Sequence, residues 1–346
     1  MSGCKYALAS VAAVACLSVT TSAMAQGSVE AFYRGKTITM MIGSNPGGGY
    51  DAYARLVGRH IGKYIPGRPN VVPSNMAGAG GNTVASYVYA VAPRDGTVIA
   101  ATSPGSLLDP LLAEKNTLQH DPLKFNYLGS ANGENFTCIV RKDAGVKSFE
   151  EVFSKEVIIG VSGGTTHDMP RALVNVLGAK LKLIAGYPGT REIMLAMDKG
   201  EVQGICGQGI ANISWQRPDW FRDGSPVSVL VQESIKGDPE LNKIGVPLAL
   251  DFAKTPEQRK ILQIVYAQGV FTRPFLVAPD VPAERVEALR KAFMQVLADP
   301  ELLAEAEKQK LVISVISGAE LEGMIREIYA TPPEVVEKVR KAIVPQ

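Results

Sequence analysis

Ile38-Thr39-Met40-Met41-Ile42-Gly43-Ser44-Asn45-Pro46-Gly47-Gly48-Gly49-Tyr50-Asp51 reads as an apolar strand that breaks into a glycine-rich turn and enters a helix. Tyr53, Leu56, Val57, His60, Ile61 and Tyr64 carry the helix, because they recur at the spacing of one buried helical face. Pro66-Gly67 ends it. Working outward, residues 71–73 read as a short strand that leads into a second small-residue loop, Ala77-Gly78-Ala79-Gly80-Gly81-Asn82. Asn82 is a candidate N-cap for a helix over 83–92. The turn Pro93-Arg94-Asp95-Gly96 then delivers a strand at 97–101 and the polar tip Thr102-Ser103-Pro104-Gly105-Ser106. This β-α-β-α-β order implies a mainly parallel sheet, with its loops at the carboxyl ends of the strands, where ligands gather.

The theme recurs. Residues 157–161 form a strand, Ser162-Gly163-Gly164-Thr165-Thr166-His167-Asp168 is its turn, and a helix follows from Met169. Residues 182–185 lead to Tyr187-Pro188-Gly189-Thr190 and another helix, and the strand at 201–206 ends in Gly207-Gln208-Gly209. Two α/β lobes therefore face a common cleft. The boundaries are 26–128 plus 270–346 for lobe I and 129–269 for lobe II, so the chain crosses twice. In the last third, Pro256 opens a helix at its first position and residues 270–273 form an extended return. Pro282 opens a helix to 298, Asp299-Pro300 breaks it, 311–316 read as a last strand, and helices start at Ala319 and Pro333.

Residues 1–25 have the make-up of a secretory signal peptide: Lys5, an apolar stretch over 6–19, and Ala23-Met24-Ala25 as an A-x-A cleavage site. A lipoprotein alternative at Cys16 is poorly served by Ala13-Val14-Ala15, which lacks the leucine such sites carry. The expected location is the periplasm. A formal net charge of +2 without basic or acidic runs points away from nucleic acid and anionic membrane surfaces. Of the four cysteines, Cys138 and Cys206 lie in the exported part, where they could pair or stay as buried thiols.

The loops invite several chemistries. Gly160-Val161-Ser162-Gly163-Gly164 matches the G-x-S-x-G nucleophile elbow, and a secreted serine hydrolase using Ser162 is the rival reading. Only His60, His120 and His167 could act as base, and His167 is poorly placed five residues along the same helix start. The three histidines are too dispersed for a metal site, and neither a P-loop nor G-x-G-x-x-G is present. No cofactor is expected. Backbone N–H groups of Gly47, Gly48, Gly49, Gly78, Ala79, Gly80 and Gly81, with the hydroxyls of Ser103, Ser162, Thr165 and Thr166, can hold a carboxylate instead. Each helix start adds its positive end.

Pro46-Gly47-Gly48-Gly49-x-Asp51, the loop from Ala77 to Asn82, Asp95-Gly96-Thr97, Thr102-Ser103, Tyr187-x-Gly189-Thr190 and Val281-Pro282-Ala283-Glu284-Arg285-Val286 together resemble the solute-binding receptors of tripartite tricarboxylate transporters, the Bug family. The resemblance spans almost the whole exported chain. It implies a type II periplasmic binding fold, a monomer whose two lobes close around a small organic acid, a di- or tricarboxylate or a related compound, and which docks on inner-membrane permease subunits. A sensory adapter to a membrane kinase is a further use of the same fold. The implied ligand-binding set is Asn45, Gly47 to Asp51, Gly78 to Gly81, Thr102, Ser103, Ser162, Thr165, Thr166, His167, Tyr187, Gly189, Thr190 and Gln208. Asp51 is expected to cap its helix, and Tyr50, Tyr187 and His167 to cover the apolar part of the solute. Many relatives have Asp-Asn where this chain has Gly207-Gln208, which counts against an amino-acid ligand. The stretch 236–268 is longer than usual. Arg273 is placed either to reach a second carboxylate or to form a structural ion pair.

Overall fold

Alternating apolar strands and amphipathic helices sort into two sheets in the computed structural model, which describes residues 29–113, 118–162, 164–222 and 224–344. The strands in chain order are β1 (Thr37–Ile42), β2 (Asn70–Asn75), β3 (Val98–Ala101), β4 (Asn126–Ser130), β5 (Phe136–Arg141), β6 (Val157–Gly160), β7 (Leu181–Ile184), β8 (Gly204–Gly209), β9 (Val227–Glu233), β10 (Pro274–Val277) and β11 (Ile316–Ser317). The first sheet has the order β11-β4-β10-β3-β1-β2 and the second β7-β6-β8-β5-β9. The proposed signal segment lies outside the described residues.

Both sheets are mixed. β1 pairs parallel with β2 and β3, as strand–helix–strand units require, whereas β10 and β11 enter antiparallel. In the second sheet β6 is parallel to β7 and β8, while β5 runs antiparallel to β8 and β9. The antiparallel members are the strands beside the crossings between sheets. Cys138 on β5 and Cys206 on β8 are joined by a disulfide, which resolves the open cysteine question.

Burial follows the sequence pattern. Ile38, Met40 and Ile42 on β1, and Tyr53, Leu56, Val57 and Ile61 on the helix Gly49–Ile61, are all buried in one core. The second sheet buries Ile139, Ile193, Met197 and Ile205 in a cluster of its own. The large aromatic residues Tyr127, Phe271, Phe275 and Phe293 are fully enclosed, and each buried aromatic side chain of this size contributes on the order of 2–3 kcal/mol by leaving water.

The two crossings lie side by side and are bonded to each other. Ala131 N donates to Arg273 O at 3.0 Å, Thr272 N to Asn132 O at 2.9 Å, and Glu134 N to Gly269 O at 2.7 Å. Glycine is required at the contact: a Cβ on Gly133 would sit 2.7 Å from Val270 O, and one on Gly269 2.8 Å from Glu134 O. The last helix, Pro333–Ile343, packs on the helices Thr165–Ala172 and Pro256–Tyr266 and also on Pro104–Leu112.

Several local expectations change. The helix after β2 starts one residue earlier, at Asn82, so its N-cap is Gly81 in the left-handed region (φ 97°) and Asn82 lies inside it. The helix expected from Met169 begins at Thr165, and the strand expected at 201–206 is shifted to Gly204–Gly209. Residues 270–273 belong to the bonded crossing, not to a strand, and of the expected last strand at 311–316 only Ile316 pairs, together with Ser317 beyond it. Exposed Val312 and Val315 show why: that segment has no sheet partner with which to bury its alternation.

Candidate functional site

The turn after β1 is drawn tight by a carboxylate. Asp51, only 4% exposed, accepts from Gly47 N at 2.9 Å, from Arg55 Nε at 2.9 Å and from Asn75 Nδ2 at 2.8 Å. Burial pushes its pKa up, but the Arg55, Gly47 and Asn75 hydrogen bonds outweigh this and hold it below the usual carboxylate range. Asp51 therefore stitches the loop from within the helix's first turn. The helix cap is Gly48, without side-chain help, and not Asp51 as expected. One consequence is that the Gly47 amide already has a partner.

The second loop has to bend through residues 78–81, all with positive φ. Gly81 is pressed between two hydroxyls: an added Cβ would meet Ser103 Oγ and Thr102 Oγ1 at 2.9 Å. Thr102 Oγ1 pairs with Ser106 Oγ at 2.8 Å, and the Ser103 hydroxyl donates to Gly80 O. Ser103 also caps the helix Pro104–Leu112 by accepting from Ser106 N at 3.3 Å. Thus the loops after β2 and β3 form one hydrogen-bonded wall.

Opposite stand the loop after β6 and the end of β8. Ser162 Oγ pairs with Thr166 Oγ1 at 2.7 Å, and His167 Nδ1 faces Asp168 Oδ1 at 2.8 Å. Gly163 lies outside the described residues. Gly207 adopts φ 68° against the start of the Thr165 helix, where an added Cβ would collide with the Thr165 carbonyl. Behind it Glu233 is fully buried and accepts from Gly207 N at 2.5 Å, and burial drives its pKa up to about 8 despite that bond.

Between the walls lie two cavities that share Glu134 and Arg273 in their lining. The loop cavity, of about 910 Å³, is lined by Tyr50, Ala79, Gly80, Ser103, Thr165 and Gln208 among others. The adjoining cavity, of about 1080 Å³, is lined by Gly47, Gly48, Gly49, Gly189 and Thr190 among others. The expected site residues are thereby divided. Asn45, Asp51, Gly78, Gly81, Thr102, Ser162, Thr166, His167 and Tyr187 line neither cavity. Most of them support the walls: Tyr187, for example, packs on Ile193 and against Gly160 and belongs to the second core.

Arg273 separates the two spaces. Its guanidinium carbon lies 4.5 Å from the Tyr50 ring centroid and 5.0 Å from that of Tyr53. Nη1 donates to Thr272 O at 2.9 Å, and Nε has no acceptor among the described residues. Among those residues it is the one cationic side chain lining the loop cavity. The glycine loops, Asp51 and the paired crossings were legible by residue type, and Asn82 was legible as part of its loop though not in its role; Asp109, Glu134 and Asn132 were not, because their sequence neighbourhoods carry no motif. Asp109 sits mid-helix and Glu134 in an unpatterned crossing.

No family model matches the chain. The chain is 34% identical over 105 residues to the UPF0065 protein of the tcbD-tcbE intergenic region of Pseudomonas sp. strain P51, a match covering 30% of each chain. It is 29% identical over 185 residues to the UPF0065 protein of the TAR-I ttuE-ttuC' intergenic region of Agrobacterium vitis, covering 51% of this chain and 52% of the relative. The matches thus span a third to a half of the length of these relatives. Among solved structures, a TctC solute-binding protein from Polaromonas superposes with a TM-score of 0.68 at 17% identity, covering 88% of this chain and 99% of its own. An R. palustris protein with adipate gives 0.61 at 21% identity (89% and 97% covered), and MatC from Rhodopseudomonas palustris with bound malate 0.60 at 19% (89% and 99%). The fold is that of these solved proteins, and the resemblance read from the loops is borne out. No helix among the described residues is long and apolar enough to cross a membrane.

Proposed function

We propose that the chain is a periplasmic receptor that captures a small carboxylated organic acid between its two sheets and delivers it to inner-membrane permease subunits. The observation that carries this reading is Arg273. It is a fixed cation whose Nε has no acceptor among the described residues, held on two tyrosine faces at the partition of the cleft, and it belongs to the crossing about which the sheets would move. Guanidinium presents paired donors that match a carboxylate. The starts of the helices Pro104–Leu112 and Thr165–Ala172 add positive ends on opposite walls. Solved proteins of the same fold hold adipate and malate, which supports a dicarboxylate-like ligand.

The proposed mechanism is differential binding. An acid that touches Ser103 and Gly80 on one wall, Thr165 and Gln208 on the other, and Arg273 at the hinge gains all its contacts only when the walls approach. It therefore shifts the population toward the closed form. Capture needs no bond-making group, and the reading is of a monomeric receptor without enzymatic activity or cofactor. The hydroxyl of Ser162 is paired with Thr166 and the imidazole of His167 with Asp168, an arrangement that serves turn structure. Thermal-shift screening of the purified exported chain against a panel of mono-, di- and tricarboxylates tests the proposal. At least one acid should raise the melting temperature by several degrees. A panel in which only sugars or other neutral solutes stabilise the protein would refute it.

A further inference from the structure

The two cavities of the cleft differ in charge. Arg273 and Glu134 line both. Apart from them, the adjoining cavity is lined by four cations, Arg191, Arg217, Lys308 and Lys310, against the carboxylates of Glu192 and Asp198. The loop cavity has Asp109 and Asp168 instead, and no further cation among the described residues. Arg217 is spent on Asp198 at 3.0 Å and on Asp219 at 2.9 Å. The side chains of Lys308, Lys310 and Arg191 are exposed, and none has an ion-pair or hydrogen-bond partner among the described residues. These three reach the opening from both sides. Arg191 lies in the first turn of the helix Thr190–Lys199, which packs on β8, whereas Lys308 ends the helix Pro300–Lys308, which packs on the helix after β1.

The way Arg273 is turned is a second and independent observation. A Cβ added to Gly49 would lie 3.3 Å from Arg273 Nη2, and Gly49 lines the adjoining cavity but not the loop cavity. Nη1 is spent on Thr272 O, while Nη2 has no acceptor among the described residues. The free end of the guanidinium therefore faces the cationic cavity. An anion is drawn toward it from that side, and is repelled from the side of Asp109 and Asp168.

We infer that acids enter the cleft through the adjoining cavity, steered from solvent to Arg273 by Lys308, Lys310 and Arg191. This rests on the carboxylate-receptor reading and adds an entry route to it. The three side chains act on the encounter and are not contacts of the seated acid. Exposed charges reach about 30 Å at 0.01 M salt and about 10 Å at 0.1 M, so their effect belongs to the association rate and fades as salt is added.

Stopped-flow tryptophan fluorescence with succinate, adipate and citrate tests it. Trp220 is a reporter beside the cavity, its ring 4.4 Å from the guanidinium carbon of Arg217. In wild type the association rate constant should fall about tenfold between about 0.01 M and about 0.3 M salt. Combining Lys308→Gln, Lys310→Asn and Arg191→Gln should slow association about three- to tenfold at the lower salt and flatten the salt dependence, with dissociation unchanged within about twofold. Asparagine is chosen at 310 because φ there is 55°, a left-handed conformation that asparagine tolerates. A control combining Lys182→Gln, Lys254→Gln and Lys291→Gln removes the same charge from exposed positions that line neither cavity, and should associate like wild type. Melting temperatures report the folding of each variant, and the three single substitutions, each slowing association by a smaller step, keep the test available. Equal association rates in the two combined variants overturn the inference and leave the receptor reading intact. A loss confined to faster dissociation also overturns it, because the three side chains would then be contacts of the seated acid. If no acid of the wider panel binds wild type, the inference and the receptor reading fall together.

Discussion

Glu233→Gln should flatten the dependence of stability on pH. In the folded protein the Glu233 carboxyl is fully enclosed and its pKa stands at about 8, against 4.5 in the unfolded chain. Between those values the folded state therefore holds a proton that the unfolded state has lost. Its stabilisation is fully present below about pH 4.5 and is lost as pH rises through about 8. At about 1.4 kcal/mol per pKa unit, the whole span is worth at most roughly 5 kcal/mol. For a chain of this size each kcal/mol moves the melting temperature by about 2 °C or more, so wild type should lose on the order of 5–10 °C between pH 5 and pH 8.5 from this group. Glutamine keeps an acceptor for Gly207 N–H and cannot ionise. The assay is differential scanning fluorimetry of both proteins across pH 4–9, comparing the slopes and not the absolute values. Parallel curves for wild type and variant would refute the reasoning, because they would mean that Glu233 ionises in the fold without cost.

Other outcomes follow from the same contacts. Gly207→Ala should cost more than about 3 kcal/mol in urea titration, since its Cβ would strike the Thr165 carbonyl and φ 68° is a left-handed conformation. Asp51→Ala should cost about 2–3 kcal/mol and loosen the 43–49 turn, visible as faster amide exchange there, because it strands Arg55 and frees Gly47 N–H. Replacing Cys138 and Cys206 by serine opens a link spanning 68 residues and should cost about 2–4 kcal/mol, with no free thiols detected in the wild-type protein before reduction.

How much of this was legible in the chain depends on the range of the signal. β1, the helix after it and the helix Pro256–Tyr266 are fixed by local periodicity and by Pro, Thr and Gly at their ends, and they appear where the sequence places them. The extended stretch at 311–315 was misread because a run of apolar residues becomes a strand only beside a free sheet edge, and β4 offers one only at Gly129 and Ser130. Asn82 was misread as a cap because Gly81, with φ 97°, had already turned the chain, leaving the asparagine free to bond Asp109, 27 residues away. The glycine loops were recognisable as walls. The charges between them, Asp109, Glu134, Asp168 and Arg273, meet only after two crossings and a shared hinge have formed, and no spacing in the sequence encodes that meeting.

The central claim is that the cleft between the sheets captures an acid through Arg273. Isothermal titration of the exported chain and of Arg273→Leu, with the acid that stabilises wild type most, tests it directly. Wild type should bind one equivalent, and the variant, still folded, should lose roughly 10- to 100-fold in affinity, the weight of a charge-assisted hydrogen bond in a partly dry site. Undiminished binding by Arg273→Leu would contradict the account.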